Sequence, residues 1–266
     1  MDDREWRRYL GDFHDTRPGV TERLLGLAEE DPYAWLAEPL RSATGTVLDL
    51  ACGSGPTRAA LPRVRWAGVD SSAGELAYAA ALGRGPLVMG DAAALPFATG
   101  SVDAVCAAMA LQVLTPLDAV MDEVERVLRP DGVLAALTPA GLGAPPRGAL
   151  AWVRVLFALR ETRLSWPNPH ACDGADRFLA ARGWTVVSSS RRVLRLPMAT
   201  PEQTALLLRG LYLPDTGPGR LRAAERSLAA WARPGRYLSL PLRRVVASPP
   251  RRVCGPSTRW KARAGE

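Results

Sequence analysis

The chain has 266 residues, 47% hydrophobic and 23% charged, which is enough apolar side chain for one large packed domain and excludes wholesale disorder. Its net charge of +7 is uneven: residues 1–140 carry 12 arginines against 20 acids, a net of −8, while residues 141–266 carry 22 bases against 7 acids, a net of +15. A basic half attracts nucleic acid, anionic lipid or acidic substrates, whereas the charged opening MDDREWRRYL and the short apolar run 104–117 predict neither a secretory leader nor a membrane span.

In chain order, residues 17–39 predict two short helices, the first entered through Pro18 and Thr21, with Val20, Leu24, Leu25 and Leu27 on one face. The continuous apolar run 46–51 predicts a strand buried on both faces, stopped at Cys52-Gly53-Ser54-Gly55 before a short helix near 56–61. The cycle repeats, with strands expected at 65–69, 86–89, 102–109 and 132–138 and helices near 73–82 and 117–128. Parallel strands joined by crossover helices make a doubly wound α/β sheet. Past Pro139 the pattern loosens into helices near 149–160 and 174–182, strands at 184–189 and 237–247, and two helices between those strands, near 201–212 and 219–232. The expected layout is one domain over 1–248, with a helical lid at 1–42, a ligand-binding half at 43–140 and an acceptor side at 141–248 that carries a helical insertion at 199–235. Residues 249–266 read as a basic, disordered tail.

Four widely spaced cysteines without a CxxC pair and two isolated histidines, His14 and His170, predict no disulfide framework and no metal site; a reducing cytoplasm fits. Three aspartates fall at or near the carboxyl ends of the first strands: Asp49, Asp70 and Asp91. Ligands of doubly wound sheets bind at that edge, and an acid about 20 residues after the first strand takes ribose hydroxyls. The third glycine of a dinucleotide fingerprint is Arg58 here, and no lysine follows the turn, so a nucleoside without phosphates fits better than a dinucleotide.

The segments VLDLACGSGP (47–56), GVDSS (68–72), GDAAALPFATGSVDAV (90–105) and EVERVLRPDGVL (123–134) resemble, in order and spacing, the motifs of class I S-adenosylmethionine-dependent methyltransferases, in the small-molecule, type 11-like branch. The resemblance implies a seven-stranded Rossmann-like sheet with its last strand antiparallel. It also implies an S-adenosylmethionine site. Asp49, Ala51, Cys52, Gly53 and Gly55 would hold the methionine part, Asp70 with Ser71 the ribose, Asp91 with the Ala92 amide the adenine, and Ala108 and Met109 would flank the sulfonium. Ala51 stands where the family often has a glycine, a mild change unless the turn needs positive φ. Asp70 is expected to have a ligand, not the core, as its partner.

The implied reaction is in-line methyl transfer, for which positioning supplies much of the rate. An acceptor hydroxyl would need a base, and the candidates are His14 and His170, with Gln112 as an acceptor contact. The expected partner is a small-molecule acceptor, with no membrane, for a monomer or homodimer. The alternatives are RNA, met by the basic half, and a non-catalytic cofactor-binding module.

Overall fold

The computed structural model describes residues 1–141 and 146–250, Pro146 and Arg147 by backbone alone. The tail expectation for 249–266 thus falls almost wholly outside the described residues. Seven strands form one sheet: β1 (Thr46–Leu50), β2 (Arg65–Asp70), β3 (Leu87–Met89), β4 (Val102–Ala108), β5 (Leu128–Pro139), β6 (Thr185–Pro197) and β7 (Tyr237–Ser248). Their spatial order is β3-β2-β1-β4-β5-β7-β6. Strands β1 to β5 pair in parallel, and β7 runs antiparallel to both of its neighbours, β5 and β6. This is the doubly wound sheet that the residue pattern predicts, with the antiparallel last strand that the family resemblance implies.

The central strands are buried because their sequences carry no polar face. Leu48, Leu50, Val105 and Ala107 point into one core layer, and Val47, Ala104, Cys106 and Ala135 into the other. Helix α6 (Leu117–Val127) places Leu117, Val120, Met121, Val124 and Val127 on one stripe against the first layer. Truncating a fully buried leucine here, such as Leu48→Ala, costs ~2–5 kcal/mol.

Two elements exceed the expectation. Helix α1 (Asp3–Thr16) precedes α2 (Val20–Leu25) and α3 (Pro32–Ala37), and it begins at a capping box in which Asp2 and Glu5 each accept the other's backbone N–H. Strand β6 runs on to Pro197, paired with β7 along its length. Helices α9 (Pro201–Gly210) and α10 (Pro218–Trp231) lie between β6 and β7, and together with α7 (Pro146–Leu159) they bury a third apolar cluster around Val155, Leu207 and Leu228. The remaining helices are α4 (Thr57–Ala60), α5 (Ala73–Ala81) and α8 (Ala175–Ala181). Among the described residues no helix is long and apolar enough to cross a membrane.

Candidate active site

A cavity of about 370 Å³ opens at the carboxyl ends of β1, β2 and β4. Its floor is the turn that follows β1, and this turn is left-handed at three points: Ala51 at φ 50°, Gly53 at φ 52° and Gly55 at φ 72°. The turn therefore does need positive φ at Ala51, and the alanine there is a strained choice, at ~1–2 kcal/mol. The Cys52 N–H donates to the Val69 carbonyl at 3.0 Å and the Gly55 N–H to the Cys52 carbonyl at 2.8 Å, which fixes the turn against β2.

The three aspartates meet different environments. Asp49 is buried, and the Thr57 hydroxyl donates to its Oδ2, while Oδ1 has no protein partner among the described residues. Burial pushes its carboxyl up to about 7, against the opposing bond from Thr57. Asp70 accepts the Gly53 N–H at 2.7 Å on Oδ2 and the Ser72 N–H at 2.9 Å on Oδ1; burial nonetheless raises it. Asp70 thus has backbone partners of its own, contrary to the expectation that a ligand alone would hold it. Asp91 is exposed, accepts the Ala93 N–H at 2.8 Å and lies 3.9 Å from the Arg7 guanidinium of α1.

Ser71, Ala92, Ala108 and Met109 also line the cavity, Met109 at φ 56° with its N–H on the Leu137 carbonyl. Cys52 lines it too, but burial and the nearby Asp49 push the thiol well up, so it rests as a small protonated side chain.

The N-terminal helices close over these groups through carboxylates. From α1, Asp15 accepts the Ser72 hydroxyl at 2.6 Å and the Gly74 N–H, and the hydroxyl bond holds it below the usual range. From α2, Glu22 takes both Arg84 terminal nitrogens at 2.7 Å and the Ser54 hydroxyl at 2.6 Å. Burial works against that carboxylate, but the Arg84 and Ser54 bonds outweigh it and lower its pKa. From α5, buried Glu75 accepts the Gly19 N–H at 2.8 Å and lies 2.9 Å from His14 Nδ1. The other ring nitrogen, Nε2, meets the Tyr212 hydroxyl at 3.0 Å, in the turn between α9 and α10.

Of the two histidines, only His14 reaches the cavity. His170 is exposed in a 3-10 turn, its ring centred 5.1 Å from that of Phe178 and tilted 56° to it, and is absent from the cavity wall. The reason is local: the turn at 169–171 puts the ring outward against α8. Gln112 is buried behind the wall, donating to the Met109 carbonyl at 2.6 Å, and does not line the cavity. Sequence reasoning passed over Glu75, Tyr212, Glu22 and Arg84. No group of three His, Cys, Asp or Glu among the described residues can hold a metal ion.

Comparison with known proteins gives consistent likenesses. A family model described as a methyltransferase domain matches residues 48–136. The chain is 34% identical over 195 residues to demethylmenaquinone methyltransferase of Mycolicibacterium paratuberculosis, across 64% of this chain and 82% of that one. It is 40% identical over 122 residues to malonyl-[acyl-carrier protein] O-methyltransferase of Alcanivorax borkumensis, across 41% of this chain. The chain spans less than two thirds of the malonyl-[acyl-carrier protein] O-methyltransferases it matches, 39% of that one and 55% of its counterpart from Methylococcus capsulatus. Among solved structures, the YcgJ protein of Bacillus subtilis shares the fold, with a TM-score of 0.54 and 20% identity over 82% of this chain and 98% of that one.

Proposed function

We propose that this chain, which belongs to the class I S-adenosylmethionine-dependent methyltransferases of the type 11 branch, methylates a small molecule bound beneath its N-terminal helices. Bound S-adenosylmethionine supplies an electrophilic methyl group on a sulfonium. The cavity fits such a group on its own terms. Asp49 leaves one buried carboxylate oxygen unsatisfied, suited to the ammonium of the methionine end, and the glycine turn lets backbone approach closely. In this reading Asp49, Ala51, Cys52, Gly53 and Gly55 hold the methionine part, Asp70 and Ser71 the ribose, Asp91 and Ala92 the adenine, and Ala108 and Met109 border the transferring methyl.

The observation that favours a small acceptor is the lining of the cavity: His14 of α1 and Tyr212 of the turn between α9 and α10 both form its wall and meet at 3.0 Å, so the N-terminal helices and the insertion narrow it together. A cleft of this size orients a compact acceptor in line with the methyl. If the acceptor is a hydroxyl, His14 is the base in the wall only once the acceptor takes the place of the Tyr212 hydroxyl at Nε2, with Glu75 holding Nδ1. Arg209, Arg222 and Arg226 are exposed and none lines the cavity, and the relatives named above concern a quinone and a carrier-bound malonyl group, so nothing favours the RNA alternative. We place the protein in the cytoplasm and its cofactor half at 43–140.

The test is incubation of the purified chain with methyl-labelled S-adenosylmethionine and fractionated bacterial extract. Label entering small organic molecules supports the reading. Label entering RNA alone overturns it.

A further inference from the structure

Helix α7 is apolar on two opposite sides. Ala151, Val155 and Leu159 are buried against α10 and β7, yet Leu150, Val153 and Phe157 stand out from the molecule at 66%, 61% and 76% exposure. Spacings of three and four place these three on a single stripe. A helix that is apolar all round is ordinarily enclosed all round. Half of this one is enclosed by the protein, and the other half has no cover among the described residues.

The surroundings of the stripe are basic. Residues 148–163 contain Arg154, Arg160 and Arg163 against one acid, Glu161, which is engaged with Thr216 and Arg220. Helix α10 packs along α7, with Arg154 donating to Ser227 at 3.1 Å, and because Ala224 and Leu228 face the core, Arg222 and Arg226 face outward. From an apolar stripe bordered by arginines we infer that this face docks on an anionic lipid surface, with Leu150, Val153 and Phe157 entering the headgroup boundary and the arginines meeting phosphates.

Two other occupants fit less well. A second copy of the chain would set one arginine row against another, and three side chains fall well short of the ~800 Å² per partner of a stable protein interface. The chain's own residues 251–266 carry Arg251, Arg252, Arg259, Lys261 and Arg263 against Glu266, so they share the sign of the surface they would have to cover. Shallow apolar insertion combined with phosphate attraction needs neither large area nor a shaped groove.

Flotation of the full chain with vesicles tests this directly. At low salt the protein should float with vesicles of equal phosphatidylglycerol and phosphatidylcholine and bind pure phosphatidylcholine at least tenfold more weakly. The double variant Val153→Asp, Phe157→Asp should lose at least tenfold in binding to the anionic vesicles while its affinity for S-adenosylhomocysteine, measured by calorimetry, stays at the wild-type value. Three results would overturn the proposal. One is no binding to anionic vesicles at low salt. Another is vesicle binding indifferent to the double substitution, which would be charge attraction alone. The third is a dimer in sedimentation velocity that the same substitution dissociates, which would assign the stripe to a second copy.

Discussion

His14 and Tyr212, 198 residues apart in the chain, meet with Nε2 of the imidazole 3.0 Å from the phenolic oxygen. The contact joins the N-terminal helix to the turn between α9 and α10, and Glu75 on the other side of the ring ties both to α5. Phe13 reinforces it, its ring 4.7 Å from that of Tyr212 in an edge-to-face arrangement. If this junction closes the cavity, Tyr212→Phe and His14→Gln each cost about 1 kcal/mol of stability and weaken S-adenosylhomocysteine several-fold. A double-mutant cycle should return a coupling of ~0.5–1.5 kcal/mol. Additive effects in the cycle would mean that the two groups do not act through each other.

The raised pKa of Asp49 has a definite sign in a titration. Its folded value of about 7 lies above the ordinary 3.8, so between those values the ligand-free folded chain keeps a proton that the unfolded chain has lost. The stability from this group is complete below pH 4 and is lost as pH rises to 7, by at most ~4 kcal/mol. Asp49→Asn should flatten that part of the stability curve, read by denaturant titration at several pH values. Because the cationic end of S-adenosylmethionine favours the carboxylate, binding should release a proton below pH 7. Calorimetry in buffers of different ionisation enthalpy measures that release, and zero release at pH 6 would contradict the placement of the ammonium beside Asp49.

Glu22 and Arg84 form a two-pronged ion pair that also pins Ser54, through its hydroxyl and its carbonyl. Arg84→Ala leaves a half-buried carboxylate without its cation and frees the glycine turn. The expected loss is ~1–3 kcal/mol in stability together with weaker cofactor binding. A melting temperature equal to wild type would show that the pair is ornamental.

Ala51 carries the turn's left-handed conformation without being glycine. Ala51→Gly should be neutral to slightly stabilising, because relief of the Cβ contact is offset by greater freedom in the unfolded chain. Ala51→Val should cost ~2 kcal/mol or more, since a β-branched side chain is poorly tolerated at φ 50°. Equal melting temperatures for the two variants would contradict the conformational account.

The sheet was legible because parallel strands buried on both faces read as mainly apolar runs, as in TVLDL and VDAVCAA, and because the first three carry Asp49, Asp70 and Asp91 at or just past their carboxyl ends. Helix α1 was hidden by composition. Its opening looked merely charged, although Asp2 and Glu5 sit at capping-box spacing and Trp6, Leu10 and Phe13 recur at helical intervals. The far half of β6 was obscured because it is an edge strand whose exposed positions are serines and arginines, from Ser188 to Arg195. Glu75, Glu22 and Arg84 gave no signal, since a lone carboxylate or arginine acquires meaning only when the fold supplies its partner 56 to 62 residues away.

The central claim is that Asp70 and the turn it braces form a nucleoside-cofactor site. Calorimetric titration of S-adenosylhomocysteine into the wild-type chain and into Asp70→Asn tests it most directly, with thermal unfolding as the control, because Asp70 also accepts the Gly53 and Ser72 N–H groups. We predict one-to-one binding to the wild type and an affinity at least tenfold lower in a folded variant, a loss of ~1.4 kcal/mol or more. Equal affinities in two folded proteins, or no binding to the wild type, would contradict the account.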